Sequence, residues 1–262
     1  MVSWINELFG QTPNASEHGG LVDHMLGFVH WFMLALFVGW SIYLVITFTS
    51  FRASKNARAD YQGVTGHATT HIEIGVVIVE AILLLGFAFP LWARQADDYP
   101  VTADTIKIRA LGEKFLWNFQ YPGQDTLLST WDPRNIDAAA GNTTGKDLHD
   151  PNGKDDFVNP GTMKLPVGRP VIVDVASKDV IHNLALVPMR AAQDATPGVK
   201  SHMWFKPVKE GSWDIICGQL CGPGHAQMKA TLEVISNKDY EDWSKEMSAS
   251  AVKKAAEAPT AK

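Results

Sequence analysis

Cysteine is scarce in this 262-residue chain: Cys217 and Cys221 are its only two. A framework of several disulfides and a four-thiolate metal cage are thereby excluded, and with no C-x-x-C-H there is nowhere to attach a c-type haem. The first 25 residues contain no Lys or Arg, so the basic region of a cleaved signal peptide is missing and none is expected. Leu26 to Phe51 carries no formal charge apart from His30. The net charge of −5 excludes a broad basic face, and no nucleic-acid partner is expected.

What the chain does have is strong hydrophobicity near one end of an otherwise polar sequence, so it reads as part membrane and part soluble. At about 1.5 Å per helical residue, Leu26–Phe51 is long enough to cross a ~30 Å hydrocarbon core, and Ile72–Trp92 is a second span. Trp92 and Tyr99 suit the interfacial aromatic belt. The intervening loop carries Arg52, Lys55 and Arg58 against Asp60, whereas the stretch before the first span holds only Glu7, Glu17 and Asp23. The loop is therefore expected in the cytoplasm and everything after Trp92 outside it, in a bacterium on the periplasmic face of the inner membrane. The expected division is a tail over 1–25, a helical hairpin over 26–95 and an extracytoplasmic domain over 96–240. Residues 241–262 are expected to form a short helix and a disordered tail.

The chemistry concentrates in Cys217-Gly-Gln-Leu-Cys221-Gly-Pro-Gly-His225-Ala-Gln-Met228. Soft sulfur and borderline nitrogen donors at this density select copper, zinc or iron over magnesium or calcium. From Cys221 to Met228 the spacing is that of a mononuclear blue-copper loop. Cys217 adds a second thiolate, and two thiolates can bridge two copper ions into one charge-sharing centre. Structural zinc, a redox-active dithiol, a copper-delivery site and a lone disulfide are the alternatives. Structural zinc has no use for a methionine, and an imidazole and a thioether within seven residues of Cys221, with His182 upstream in Ser177-Lys-Asp-Val-Ile-His182-Asn183, disfavour the others.

On these residues the chain resembles subunit II of the haem-copper oxidases, whose loop reads C-x-E-x-C-G-x-x-H-x-x-M. It matches at Cys217, Cys221, Gly222, His225 and Met228, at Asp179-Val-Ile-His182 and at Pro197-Gly198, and the likeness extends through the hydrophobic hairpin. The resemblance implies a membrane-anchored, mostly β protein: a two-helix transmembrane hairpin followed by a cupredoxin-like Greek-key β-sandwich. It also implies a binuclear CuA centre in which Cys217 and Cys221 bridge two coppers. His182 and Met228 would complete one ion, and His225 with the backbone carbonyl of Gln219 the other. Electrons would come from cytochrome c, free or as a tethered domain, and pass to the haem of subunit I, where oxygen is reduced; other oxidase subunits would complete the assembly. Many members of the family have Glu where this chain has Gln219, and there the carboxylate also binds magnesium at the interface with subunit I. A neutral amide is a poorer ligand for so hard a cation.

Glu73 and Glu80 lie seven residues apart, on one face of the second span. Intramembrane carboxylates are costly and are functional candidates for that reason. By the resemblance Glu73 stands at the mouth of a proton path into subunit I, while Glu80 has no such role. His67 and His71, at i,i+4, read as a solvated pair.

Three short runs, Thr105-Ile-Lys-Ile-Arg-Ala, Val171-Ile-Val-Asp-Val and Ala230-Thr-Leu-Glu-Val-Ile, have strand character. Phe115-Leu-Trp117-Asn-Phe119-Gln-Tyr121 alternates aromatic rings at strand spacing. The resemblance lays its beginning over the copper site and makes Phe115 or Trp117 the point where electrons arrive. Residues 124–159 read as an acidic surface insert, able to steer a basic cytochrome. Within it, Asp150-Pro-Asn-Gly-Lys-Asp-Asp156 lacks the terminal Glu of a full calcium loop.

Other functions remain open at this point. A quinol oxidase subunit would have lost the copper ligands. A thioredoxin-like copper chaperone would have one span and an α/β domain. The CuA subunit of a nitric oxide reductase would keep this site and change the terminal acceptor.

Overall fold

The structure, a computed structural model, describes residues 8, 10–56, 58, 61–62, 66–96, 99–137, 139 and 141–257. Glu7, Asp60 and the last residues of the expected tail lie outside them. The chain divides into a helical unit, which includes Leu21–Arg94, and a β unit made of Thr12–Gly20 and Gln95–Lys262.

Two helices make the first unit. α1 (Gly19–Ser50) and α2 (Ala68–Ala96) have 32 and 29 residues, which at 1.5 Å per residue gives about 48 and 44 Å, longer than a bilayer core. Their exposed side chains are mostly apolar, as suits a helix whose solvent is lipid. Within α2 the turns widen to π register over Ile82–Ala88, and Phe89 N–H donates to the carbonyl of Leu84. Pro90 accounts for the widening, since it has no N–H to donate and its ring would strike the carbonyl four residues earlier. Glu73, Glu80, His67 and His71 are all exposed. His71 Nδ1 is 2.7 Å from the carbonyl of its own helix neighbour His67, so the pair does not converge on a common metal position.

Ten strands form the β unit in two sheets. One has the order β3 (Phe157–Pro160), β2 (Leu116–Tyr121), β1 (Ile106–Glu113), β5 (Val171–Ser177), β8 (Ser201–Phe205). The other runs β4 (Thr162–Pro166), β10 (Lys229–Ile235), β9 (Gly211–Cys217), β6 (His182–Leu186), β7 (Ala191–Ala195). β1 with β5 and β4 with β10 are parallel, and the remaining pairs are antiparallel. The three runs read as strands are β1, β5 and β10. Ile108, Trp117, Phe119, Tyr121, Leu165, Val173, Leu184, Ile215 and Leu232 are fully buried between the sheets, and this burial is the main stabilising term.

Three segments differ from expectation. The stretch before the first span is no free tail: Ala15 N–H donates to the Pro188 carbonyl at 2.8 Å, Val208 N–H donates to the Ala15 carbonyl at 2.8 Å, and Ala15 is wholly buried. A small apolar residue flanked by polar ones leaves too weak a pattern to reveal such docking. At the other end, α3 spans Asn237–Glu257 rather than starting at 241 as a short helix. Its Trp243 meets the rings of Tyr121 and Phe157 edge-on, at 5.1 and 5.2 Å.

The acidic insert, finally, is built into the fold. Asp132 and Asp150 accept backbone N–H bonds that start short helical turns. Trp131 is buried against Leu111 and Ala176. Asp150 also accepts from Thr130 N–H and hydroxyl, so the fragment that partly matches a calcium loop spends this carboxylate on its own chain.

Candidate metal centre

The soft-donor loop joins two hydrogen-bonded neighbours. β9 ends at Cys217 and β10 begins at Lys229, and Cys217 N–H donates to the Met228 carbonyl across the base of the loop at 3.3 Å. A short helical turn at His225–Gln227 brings the chain back. Gly222 has φ +142, a conformation that favours glycine, and a Cβ on Gly224 would fall 2.5 Å from Cδ2 of Phe115. The ring of Phe115 therefore rests on bare backbone.

His182, at the start of β6, is placed beside Cys217 because β6 pairs with β9: Leu184 lies opposite Cys217 in the register. The two thiols are free and buried, with their sulfurs 3.8 Å apart. A disulfide requires about 2.05 Å, so that alternative is not the state present. Nδ1 of His182 lies 4.0 Å from the Cys217 sulfur, and Nδ1 of His225 lies 3.6 Å from the Cys221 sulfur. Sδ of Met228 is 3.7 Å from the Cys221 sulfur, and the carbonyl oxygen of Gln219 is 3.2 Å from that of Cys217. Donor atoms of His182, Cys217 and Cys221 all fall within 4.8 Å of one another, a cluster that can hold metal. His182, Gln219, His225 and Met228 thus each bring a donor atom within 4.0 Å of one of the two sulfurs. His225 and Gln219 are half-buried and exposed respectively.

Burial, then the hydrogen bond to Cys217 and the charge there, push the Cys221 thiol up. The Cys221 thiol therefore holds its proton more tightly, and binding a metal has to displace it. Asp179 behaves oppositely. Partial burial pushes it up, but hydrogen bonds from His182 and from the backbone N–H groups of Lys114 and Val180 outweigh this and hold it below the usual carboxylate range. Its Oδ1 is 2.9 Å from His182 Nε2, and its Oδ2 accepts from Lys114 N–H at 2.8 Å.

Sequence reasoning gave Asp179 no task, although an Asp three residues before the His is a readable signal for an imidazole-orienting carboxylate. Gly112 was missed as well: a Cβ there would sit 3.0 Å from His182 Cδ2. Of the two aromatic candidates, Phe115 is 37% exposed above the loop, whereas Trp117 is wholly buried with its ring 5.9 Å from that of His182. Trp117 consequently offers no face to a docking partner. Alternation along β2 sends Trp117 inward, and Phe115 lies just before the strand.

A β-sandwich with two thiols, two imidazoles and a thioether gathered at one inter-strand loop, on a chain with two helices of membrane-spanning length, is the architecture of a membrane-anchored subunit with a cluster able to hold metal. Residues 106–235 match the family model described as cytochrome C oxidase subunit II, periplasmic domain. The "Alternative cytochrome c oxidase subunit 2" of Bradyrhizobium diazoefficiens is 30% identical over 234 residues, 88% of this chain and 82% of that protein. The cytochrome c oxidase subunit 2 of Cereibacter sphaeroides is 25% identical over 252 residues, covering 89% and 78%. The solved periplasmic domain of subunit II (CoxB) of Bradyrhizobium japonicum aligns with a TM-score of 0.43 at 23% identity, over 58% of this chain and 98% of that one. The chain belongs to the cytochrome c oxidase subunit II family. It is a subunit of a haem-copper oxidase, anchored in a membrane with its β unit outside the cytoplasm. The chaperone alternative is overturned, because the domain is a β-sandwich behind two spans and not an α/β domain behind one.

Proposed function

We propose that this chain is the electron-accepting subunit of its oxidase, and that Cys217 and Cys221, with His182, Met228, His225 and the backbone carbonyl of Gln219, would hold a binuclear copper centre. The observation that carries the reading is the pair of buried sulfurs 3.8 Å apart with an imidazole Nδ1 outside each, at 4.0 and 3.6 Å. Six donors exceed what one tetrahedral zinc takes up, and a thioether is no usual zinc ligand. A copper pair held by these residues would supply one-electron transfer.

The protein's own groups keep that geometry fixed. Asp179 holds the His182 ring through Nε2, the Cys217–Met228 backbone bond closes the loop, and the Phe115 ring on Gly222 and Gly224 covers it. Phe115 is the proposed contact for an incoming cytochrome c, and Trp117 is buried with its ring against that of His182. Exposed acids of the insert, among them Asp125 and Asp137, would attract a basic cytochrome. Glu73, exposed in the second turn of α2, is the proposed opening of a proton path into subunit I, with the β unit in a bacterial periplasm. Gln219 offers no carboxylate to an interfacial magnesium.

The test is copper loading of the full chain in detergent. Two coppers per chain and a seven-line paramagnetic resonance spectrum are expected, and Cys217→Ser is expected to abolish the seven lines. Four lines in the unmodified protein would mean a single copper and defeat the reading.

A further inference from the structure

We propose that the outer ends of α1 and α2 form a binding site for one anionic phospholipid, its phosphate held by Arg94 and its glycerol and upper acyl chain lying in the groove between the helices. The groove has a volume of about 270 Å³ and runs from His24 and Arg94 at its mouth past Met25 and Leu91 to Phe28 and Phe87. Those two rings touch at its floor, 5.8 Å between centroids.

Its existence follows from the covalent structure of α2. Pro90 imposes the π-helical stretch Ile82–Ala88, and Gly86 within that stretch contributes no side chain where the groove is open: a Cβ at Gly86 would meet nothing within 4 Å. A helix of ordinary pitch with a branched residue at 86 would leave no such recess.

Depth and charge select the occupant. Both helices outrun the hydrocarbon core by a few turns. Arg94, in the last turn of α2, therefore lies at headgroup level on the side away from Arg52 and Lys55, and the phenylalanines reach acyl depth. Arg94 and His24 are exposed, and neither has a protein ion-pair partner among the described residues. A planar guanidinium matches a phosphate with two parallel N–H bonds. A partner helix would cover the apolar floor but leave this cation unanswered; a lipid phosphate answers it and its chain fills the floor. The proposal rests on the membrane-spanning reading of α1 and α2 and not on the copper assignment.

The experiment uses the intact oxidase, purified in mild detergent, exchanged into nanodiscs of phosphatidylglycerol mixed with phosphatidylcholine, then re-extracted and analysed by native mass spectrometry. The expected result is about one tightly held phosphatidylglycerol traceable to this subunit, with the preference falling about fivefold in Arg94→Gln, the worth of one interfacial cation. Gly86→Leu, which fills the recess while keeping the charge, should lose that lipid altogether. Both residues are exposed and lie far in sequence from the soft-donor loop, so an unchanged copper spectrum certifies each variant as folded. An unchanged preference for phosphatidylglycerol in Arg94→Gln, or retention of the lipid by Gly86→Leu, would overturn the proposal. Crosslinking of a photoreactive residue at position 87 to another protein subunit, with no phosphatidylglycerol labelled, would overturn it too.

Discussion

Asp179 and His182 are fixed to each other, Oδ1 to Nε2 at 2.9 Å, with the opposite ring nitrogen 4.0 Å from the Cys217 sulfur. Because the carboxylate is held ionised, it can only accept, so Nε2 carries the proton and Nδ1 turns its lone pair toward the thiols. The tautomer needed for metal binding is thus imposed by a residue that touches no metal. Its other oxygen secures the backbone N–H of Lys114, next to Phe115, so one side chain orients both the ligand and the cover of the loop.

Replacing that carboxylate should therefore weaken the centre without removing any ligand. Asp179→Ala is expected to lower copper affinity by about ten- to a hundredfold, the usual effect of losing the group behind a ligating imidazole. Chelator competition on the purified chain measures it, and an affinity equal to that of the parent would show that His182 needs no such support.

Met228 separates a strong ligand from a weak one. It is buried to 1% exposure with its sulfur 3.7 Å from that of Cys221. Met228→Leu nearly conserves volume and should cost the fold less than about 1.5 kcal/mol. Both coppers are expected to stay while the reduction potential shifts, since a long axial thioether tunes the potential of a thiolate-bound copper. Redox titration beside metal analysis decides; release of all copper would make the thioether an anchor instead.

Much of this was readable in advance, for reasons visible in particular residues. The donors of the loop are close in sequence, so their spacing survives any detail of the fold. The apolar spans show themselves by length alone. What stayed hidden depends on partners distant in the chain: Asp179 reaching back to Lys114, Ala15 docking beside Pro188 and Val208, and Trp243 folding onto Tyr121 and Phe157. Composition misled at the insert, where Asp, Asn and Gly look solvated. Asp156, at 3% exposure, belongs to a buried network with Gln120, Ser129 and Arg109.

That network gives the β unit a pH signature. Burial pushes the Asp156 carboxyl above its ordinary 3.8, outweighing its hydrogen bonds with Ser129 and Gln120 and the charge of Lys146. An acid whose folded value is raised binds its proton more tightly in the folded state. Its contribution to stability therefore falls as pH rises from 3.8 through the raised value, and is level above it. Asp156→Asn keeps an oxygen for Ser129 and Gln120 and makes neutral the group whose second oxygen has no hydrogen-bond partner. Denaturant titrations from pH 4 to 8 should show this component of the slope removed in the variant. An identical slope in both proteins would mean that the carboxyl titrates as if exposed.

Phe115 and Gly224 supply a test of how the loop is held. The Cβ that Gly224→Ala adds would fall 2.5 Å from the ring, and the nearest ring atoms would all have to move. Overpacking of this kind costs about 1–3 kcal/mol. Phe115→Ala alone removes a ring that is 37% exposed and should cost less than a core phenylalanine. If the cost of Gly224→Ala is the collision itself, adding the methyl to the Phe115→Ala background should be nearly free, leaving a coupling of at least about 1 kcal/mol between the two sites. Unfolding free energies of the four proteins, with copper spectra recorded alongside, close this cycle. Strict additivity would show that the cost of Gly224→Ala does not come from the ring lying over it.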